Sequence, residues 1–486
     1  MITLKDILYR VSINKVIGNT NVAITNVEFD SRKVSLNDVF VATRGTVSDG
    51  HEYIKNAVNQ GAIAIVCEEL PKDTVNGVTY VKVQNAQQAL AFMASNFYEN
   101  PSENLQLVGV TGTNGKTTIA SLLYQLYTKA GFKVGLLSTV KIMVGNIEHK
   151  ATHTTPDSLT INKYLSKMTD TGCEYCFMEV SSHGIAQHRT TGLKFTGGIF
   201  TNLSHDHLDY HSTFAEYRDV KKKFFDELPS SAFALTNADD KNGMVMLQNT
   251  KAKKRTYALK SIADYKAQIL ENQFSGLLLK LNNNELWSKL IGNFNAYNLL
   301  AIFATTELLG MQTMESLRLI SELESVNGRF QYLIKNKITA IVDYAHTPDA
   351  LKNVLETINA IRTKNEELIT VVGCGGDRDA TKRPKMGHIA SALSTKVIFT
   401  SDNPRTEDPN KIIEAIESGV EPQHFKKTLS IADRKKAIKT ACSFAKENDI
   451  ILIAGKGHET YQEINGERTD FDDFKIVKTL LTQLNN

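Results

Sequence analysis

Short apolar runs alternate with stretches of helical spacing from one end of the chain to the other. Over residues 1–103 the runs VFVATRG, AIAIVCE and VTYVKV predict strands and HEYIKNAVNQG predicts a helix, a pattern that stops at the Pro- and polar-rich YENPSEN. Over 104–331 the buried-strand runs LQLVGV, VGLLSTV, YCFMEVSS and GGIFTNLS follow, and NAYNLLAIFATTELLG has the period of a helix. NGRFQYL, at 327–333, reads as a junction. Over 332–486 the strands ITAIVDYA, LITVVGCGG, KVIFTSD and DIILIAGKG alternate with the helices ALKNVLETINAIR and KRPKMGHIASALS. Such alternation predicts a parallel, doubly wound sheet with ligands at the C-terminal strand ends. The expected fold class is α/β in three domains: an N-terminal α/β domain, a central phosphate-loop domain with a mainly parallel sheet, and a C-terminal Rossmann-like domain. The length of 486 residues agrees, since domains run to ~100–200 residues each.

Composition narrows the class of partner. Fifty-six Lys and Arg against 53 Asp and Glu leave a net charge of +3, too even a balance for a general polyanion binder, so nucleic acid is not indicated. The basic run KKK at 221–223 reads by default as a solvated helix face. The five cysteines, Cys67, Cys173, Cys176, Cys374 and Cys442, are odd in number and scattered, which suits a reducing cytoplasm better than a disulfide framework. Cys173 and Cys176 have metal-like spacing but no second pair, and small residues beside a buried strand is the favoured reading. The start, MITLKDILYRV, lacks a cleavable signal pattern, and no apolar run approaches a membrane span of ~20 residues. A cytoplasmic protein without membrane insertion is expected.

The sharpest chemistry lies at Gly109 to Thr118, GVTGTNGKTT, between the strand LQLVGV and the helical IASLLYQLYTKAG. Glycines let backbone N–H groups close around phosphate oxygens, Lys116 brings a mobile charge to the β and γ phosphates, and Thr117 offers a hydroxyl to Mg2+. Gly112, Thr113, Asn114, Gly115 and Thr118 complete the loop. The strict pattern needs a glycine five positions before Gly115, where this chain has Val110. A nucleoside triphosphate is expected; a ligand-free glycine turn is the disfavoured alternative, because Lys and Thr stand at the working positions.

Other candidates cluster at strand ends. Glu179 closes YCFMEV and His207 lies in SHDHLDYH after IFTNL, where a carboxylate and an imidazole facing phosphates can hold Mg2+. The same run supplies His205, Asp206, Asp209 and His211, which with His207 suit a Zn or Mn hydrolase equally well. Lys221, on the helix KKKFFDEL, is either part of the solvated face or a lysine of lowered pKa that adds CO2 to become an anionic carbamate. Asn295 in GNFNAYN can bridge a nucleotide or serve as an ordinary cap. Arg329 in NGRF and Asp343 in VDYAHTPD suit ATP or plain surface pairing. Arg378 in GGDRD and Arg405 in DNPR can each grip a carboxylate with two bonds, and Glu459 in GKGHE can receive an ammonium. Together they describe a site for a small amino acid with an extra carboxylate; pairing with Asp377, Asp379 and Asp402 is the alternative. Ser31, Thr154, Thr155, Gln187 and Arg189 suit a polar, anionic substrate.

Taken in order, DSRKV, VTGTNGKTT, THTTPD, MEVSSHGIAQHR, FTNLSHDHLDYH, GNFNAYN, NGRF, VDYAHTPDAL, GCGGDRD, DNPRTEDP and GKGHETYQ resemble the Mur ligase family along nearly the whole chain. That family's phosphate loop has this same GTNGKTT form, with no glycine at the place of Val110. The resemblance implies an ATP- and Mg2+-dependent ligase of cytoplasmic peptidoglycan precursor synthesis, acting as a monomer. Its substrates would be UDP-N-acetylmuramoyl-L-alanyl-D-glutamate and meso-diaminopimelate. The N-terminal domain would bind the UDP-sugar, the central one ATP and the C-terminal one the amino acid. Carried over by motif, Lys116, Thr117 and the loop amides bind ATP, with Asn295, Arg329 and Asp343 at further ATP positions. Thr117, Glu179, His207 and Lys221 hold Mg2+, Lys221 as its carbamate (N6-carboxylysine). Ser31, Thr154, Thr155, Ser181, Gln187 and Arg189 match the UDP-muramoyl-dipeptide site. Arg378, Asp402, Asn403, Pro404, Arg405, Gly455 and Glu459 match the diaminopimelate site. The chain departs from several relatives at His153, where they have Asn, and at Thr46 and Val47, which replace an HQ-containing loop.

The implied reaction passes through an acyl phosphate on the D-Glu γ-carboxylate, which the amine of diaminopimelate then attacks. Closure of three domains around the reactants would gate turnover and exclude water. L-lysine lacks the distal carboxylate that Arg405 would grip, and an unpaired, desolvated guanidinium costs on the order of several kcal/mol. The alternatives are the same ligation with L-lysine or another diamino acid, and a non-catalytic Mur-like binding subunit, against which intact Lys116, Glu179, His207 and Lys221 argue.

Overall fold

Apolar runs without polar alternation become strands buried on both faces, and the three larger sheets of this protein are built around such runs. The computed structural model describes residues 2–45, 48–204 and 213–483. Near the N-terminus Val39–Val41, Ala64–Cys67 and Thr79–Val83 lie parallel. Val27–Glu28 extends this sheet in parallel at one edge and Ile13–Ile17 pairs antiparallel at the other. The helix Ala86–Phe97 covers it with Ala86, Ala89, Leu90 and Met93, all buried.

This sheet belongs to the first of two compact units, which holds the chain up to Leu203 and most of the residues from there to Asp264. In the same unit the strand Gln106–Thr111 lies between Tyr175–Glu179 and Gly197–Phe200, all parallel. Val134–Leu137 and Phe233–Asn237 flank them in parallel, and Ile142–Val144 turns back antiparallel. Parallel strands place their C-terminal ends on one edge, so Thr111, Glu179 and Phe200 all end there. Cys173 and Cys176 are packed in the apolar core of this unit beside Leu107 and Met178, as two small residues at a buried strand should be.

The second unit runs from Tyr265 onward. It opens with an antiparallel meander, Tyr265–Gln273, Gly276–Leu281 and Asn284–Ser288. The polar residues of the two outer strands hide them from a search for apolar runs, and only GLLLKL in the middle strand carries one. The helix Asn293–Leu308, with Gly292 as its N-cap, then begins two positions earlier than NAYNLLAIF suggests, so Asn295 lies in its first turn. The junction NGRF turns into Gln331–Lys335, the antiparallel edge of a six-stranded sheet. Beyond it Ile338–Asp343, Ile450–Ala454, Leu368–Val372, Lys396–Phe399 and Thr428–Ser430 follow in that spatial order, all parallel. Period-two geometry splits their side chains between two cores. Ile450, Leu452 and Ala454 face the helices Pro348–Ile361, Lys382–Leu393 and Pro409–Glu417. Ile451 and Ile453 face Arg434–Phe444 and Asp473–Gln483. Each such Ile or Leu, fully buried, contributes about 1.5–3 kcal/mol over exposure. Among the described residues no helix is long and apolar enough to cross a membrane.

Candidate active site

The strand Gln106–Thr111 delivers Gly112 to Gly115 to the C-terminal edge of its sheet, and the helix Lys116–Lys129 opens directly behind them. Gly112 has φ +145°, and a Cβ there would sit 1.9 Å from Thr201 Oγ1. Gly115, at the helix N-cap, has φ +89°, which only glycine adopts without strain. The next strand end holds the loop: Thr113 N–H donates to the Asn202 carbonyl at 2.8 Å, Asn114 N–H to Asn202 Oδ1 at 3.0 Å, and Thr201 Oγ1 to the Asn114 carbonyl at 2.6 Å. Lys116 Nζ folds back onto the carbonyls of Gly112 and Thr113 at 2.9 and 2.7 Å. An ammonium over a loop at a helix N-terminus favours a bound polyanion. Thr118 follows, half-buried.

Thr117 Oγ1 donates to Glu179 Oε2 at 2.9 Å, and Glu179 Oε1 accepts from Thr139 N–H at 2.7 Å. Glu179 is 1% exposed, so these donors replace water around its charge. A hydroxyl and a carboxylate oxygen this close are hard donors of the kind Mg2+ takes. Thr139 Oγ1 reaches on to Thr154 Oγ1 at 3.0 Å. Thr155 Oγ1 donates to the Glu179 carbonyl at 2.8 Å and accepts from Ser181 N–H at 2.9 Å. Arg189 donates from Nη1 to the Thr155 carbonyl and from Nη2 to Gln187 Oε1, both at 2.6 Å. Thr154, Thr155, Ser181, Gln187 and Arg189 therefore form one network with Glu179. Ser31 has a separate partner, Asn56, whose Nδ2 donates to its hydroxyl at 3.3 Å.

The solvated-face reading of the basic run is corrected for its first two members. Lys221 is 1% and Lys222 8% exposed, on the inner side of the helix Phe214–Asp226, while Lys223 is exposed. Three consecutive helical residues span more than half a turn, so one run can serve both faces. Lys221 Nζ donates to the Gly112 carbonyl at 3.0 Å and stands 4.7 Å from the centroid of the Tyr217 ring, whose hydroxyl lies 3.2 Å from Thr113 Oγ1. His207 lies outside the described residues, as do His205, Asp206, Asp209, His211, Thr46 and Val47.

In the second unit, Asp343 Oδ2 accepts from Phe330 N–H at 2.6 Å, and the Arg329 guanidinium lies 4.6 Å from the Tyr344 ring centroid. Burial raises the Asp343 carboxyl to about 6, against the pull of Arg329. Asn295 is occupied at its helix start, donating to the Ile291 carbonyl at 2.8 Å and accepting from Asn298 Nδ2 at 3.0 Å. A few strand ends away Asn403 Nδ2 donates to Glu459 Oε2 at 2.7 Å, and the fully buried Lys456 donates to Asn403 Oδ1 at 2.9 Å and to Glu459 Oε2 at 3.2 Å. Burial, then Asp402, pushes the Glu459 carboxyl above its usual range, and Lys456 opposes them. Gly455, at φ +116°, leaves the space a Cβ would take 2.6 Å from Asp402 Oδ2. Pro404 is buried. Arg405 Nη1 donates to the Gly376 carbonyl at 2.6 Å. The nearby acids are used elsewhere, since Asp377 takes the Thr406 hydroxyl and Asp379 that of Thr381. Arg378 is exposed, and among the described residues neither it nor Arg405 has a carboxylate within ion-pair distance.

Three family models match the chain: "Mur ligase family, catalytic domain" over residues 23–98, "Mur ligase middle domain" over 110–306 and "Mur ligase, glutamate ligase domain" over 328–457. A protein of Cytophaga hutchinsonii named "UDP-N-acetylmuramoyl-L-alanyl-D-glutamate--2,6-diaminopimelate ligase" is 53% identical over 99% of both chains. The chain belongs to the Mur ligase family. A relative of the same name from Clostridioides difficile is 40% identical over 99% of this chain and 100% of its own. A solved structure so named superposes with a TM-score of 0.72 at 31% identity, covering 100% of this chain and 99% of that one. The MurF ligase of Thermotoga maritima, solved in complex with ADP, shares the fold at a TM-score of 0.62 and 20% identity, over 94% and 98% of the two chains.

Within this Mur ligase, several side chains of the two networks escape a reading by motif. Thr139, Thr201 and Asn202 support the loop and Glu179 from other strand ends, and Tyr217 lies beside Lys221. Thr201 and Asn202 stand in the motif FTNLS, which was the available signal. Lys456 stands inside GKGHE, yet its burial is invisible in sequence. Nothing local marks Thr139.

Proposed function

We propose that this protein is an ADP-forming ligase that adds meso-diaminopimelate to UDP-N-acetylmuramoyl-L-alanyl-D-glutamate in the cytoplasm, at the expense of ATP. The observation that carries the reading is the Thr117–Glu179 contact of 2.9 Å beneath a glycine loop with Lys116 at its mouth. It gathers a phosphate cradle, a cation and hard oxygen donors at one strand edge, as phosphoryl transfer needs. The names of relatives at 53% and 40% identity support the choice of substrates.

The D-Glu γ-carboxylate attacks the γ-phosphorus of ATP, and the bond to the β-bridging oxygen breaks to leave ADP and an acyl phosphate. Lys116 leaves its two loop carbonyls for the phosphates and offsets charge as it moves onto the leaving oxygen. Bound Mg2+ would neutralise phosphate charge; Thr117 and Glu179, with His207 and the carbamate of Lys221, are the residues to hold it. A bare Lys221 ammonium would repel the metal, and the carbamate resolves that conflict. Thr154, Thr155, Ser181, Gln187 and Arg189 orient the UDP-sugar dipeptide, with Ser31 at its uridine end. Asn295, Arg329 and Asp343 contact the nucleotide. The diaminopimelate amine then attacks the acyl carbon through a tetrahedral intermediate, and phosphate leaves. Arg405 grips the distal carboxylate and Glu459 receives an ammonium, with Arg378, Asp402, Asn403, Pro404 and Gly455 around the amino acid.

The test is ADP release with UDP-muramoyl-dipeptide and diaminopimelate, L-lysine or ornithine in parallel. Release with diaminopimelate in strong preference to the others is expected. Equal rates with lysine would defeat the substrate assignment, and no release with any of them would revive a non-catalytic role.

A further inference from the structure

Arg434 and Asp473 take no part in the chemistry above, yet both side chains are entirely buried. Arg434 Nε donates to Asp473 Oδ1 at 2.9 Å and Nη2 to Oδ2 at 2.7 Å. Burying such a pair is costly, and well-packed apolar residues often serve a fold as well or better. Arg434 also opens the helix Arg434–Phe444, where a cation opposes the helix dipole. Two unfavourable placements point to a task other than stability.

The remaining guanidinium contacts supply one. Nη2 also donates to the Ala454 carbonyl at 3.0 Å, and Nη1 reaches the Ser401 carbonyl at 3.5 Å. Ala454 ends the strand Ile450–Ala454 just before Gly455. Ser401 immediately precedes Asp402 after the strand Lys396–Phe399. Those strands are not neighbours, because Leu368–Val372 lies between them. No sheet hydrogen bond therefore fixes the gap between their ends, and Arg434 spans it.

We propose that Arg434 is a positioning residue for the amino acid: its fork sets the spacing of the Asp402–Arg405 and Gly455–Glu459 segments. This rests on the reading of those segments as the diaminopimelate pocket. A merely structural pair would be replaceable by an apolar one.

The experiment compares the full-length parent with Arg434→Met/Asp473→Leu and with Arg434→Lys, measuring ADP release against diaminopimelate and against ATP. The double variant removes both charges, so its thermal midpoint should stay within about 5 °C of the parent. Its KM for diaminopimelate should rise roughly ten-fold or more, as expected when hydrogen bonds to a charged group are lost, while the KM for ATP stays at the parental value. Arg434→Lys keeps the charge opposite Asp473 but loses the fork, and it should show the same split if the double variant fails to fold. A parental KM for diaminopimelate in either folded variant overturns the proposal, as does a matching rise in KM for ATP. No ADP release from the parent with diaminopimelate overturns the functional reading itself, and the proposal with it.

Discussion

Arg405 holds a left-handed backbone, φ +51°, at a cost of roughly 1–3 kcal/mol for a residue with a Cβ. Its own N–H donates to the Glu463 carbonyl at 3.1 Å and its carbonyl accepts from Asn465 N–H at 2.7 Å, so its surroundings enforce the strain. A strained arginine without a carboxylate partner among the described residues suits a ligand carboxylate. Arg405→Ala should therefore lower kcat/KM for diaminopimelate by about 100-fold, while ATP binding measured by calorimetry persists. Unchanged activity with diaminopimelate would defeat the assignment. Asp343 offers a test by pH. Its native carboxyl titrates near 6 because desolvation of this half-buried group disfavours its charge, above the ordinary 3.8, so the native state favours the protonated form. The stability it contributes is full below about pH 4 and is lost as pH rises through 6. Thermal midpoints from pH 4 to 7 should show this fall in the parent and a flatter profile in Asp343→Asn; identical profiles would count against it.

The phosphate-loop element combines a strand, four loop residues and a helix whose joints only glycine fits. Gly112→Ala would place a methyl group 1.9 Å from Thr201 Oγ1 at a φ of +145°, and Thr201 itself holds the Asn114 carbonyl. The change should weaken ATP binding at least ten-fold and lower stability by about 1–3 kcal/mol, read by nucleotide titration and chemical denaturation. A parental affinity for ATP would mean that the loop does not cradle phosphates. This element was legible almost entirely in sequence, because strand, turn and helix signals are local. The meander at Tyr265–Ser288 was not, because its outer strands, YKAQILENQ and NELWS, are rich in polar residues and leave GLLLKL as an isolated apolar run. The inner side of the basic run was equally hidden: whether Lys221 or Lys223 meets solvent depends on what covers the helix.

Across the whole molecule, a near balance of 56 basic and 53 acidic residues leaves recognition to built sites rather than to an overall field. All five cysteines are free and buried, and burial raises the Cys67 and Cys374 thiols to about 11 and about 12, far from a reactive thiolate. By itself the sequence determined the α/β class, the phosphate loop and the order of motifs that marks a Mur ligase, since each is written in residues close along the chain. Only the tertiary structure decided which side chains meet. Thr117 finds Glu179 across 62 residues and Arg434 finds Asp473 across 39. Lys456, three residues from Glu459 in the chain, becomes its buried partner only once Asn403, 53 residues away, closes over both. Such contacts depend on how sheets order their strands and on which groups water can reach, and neither is a property of any local stretch of sequence.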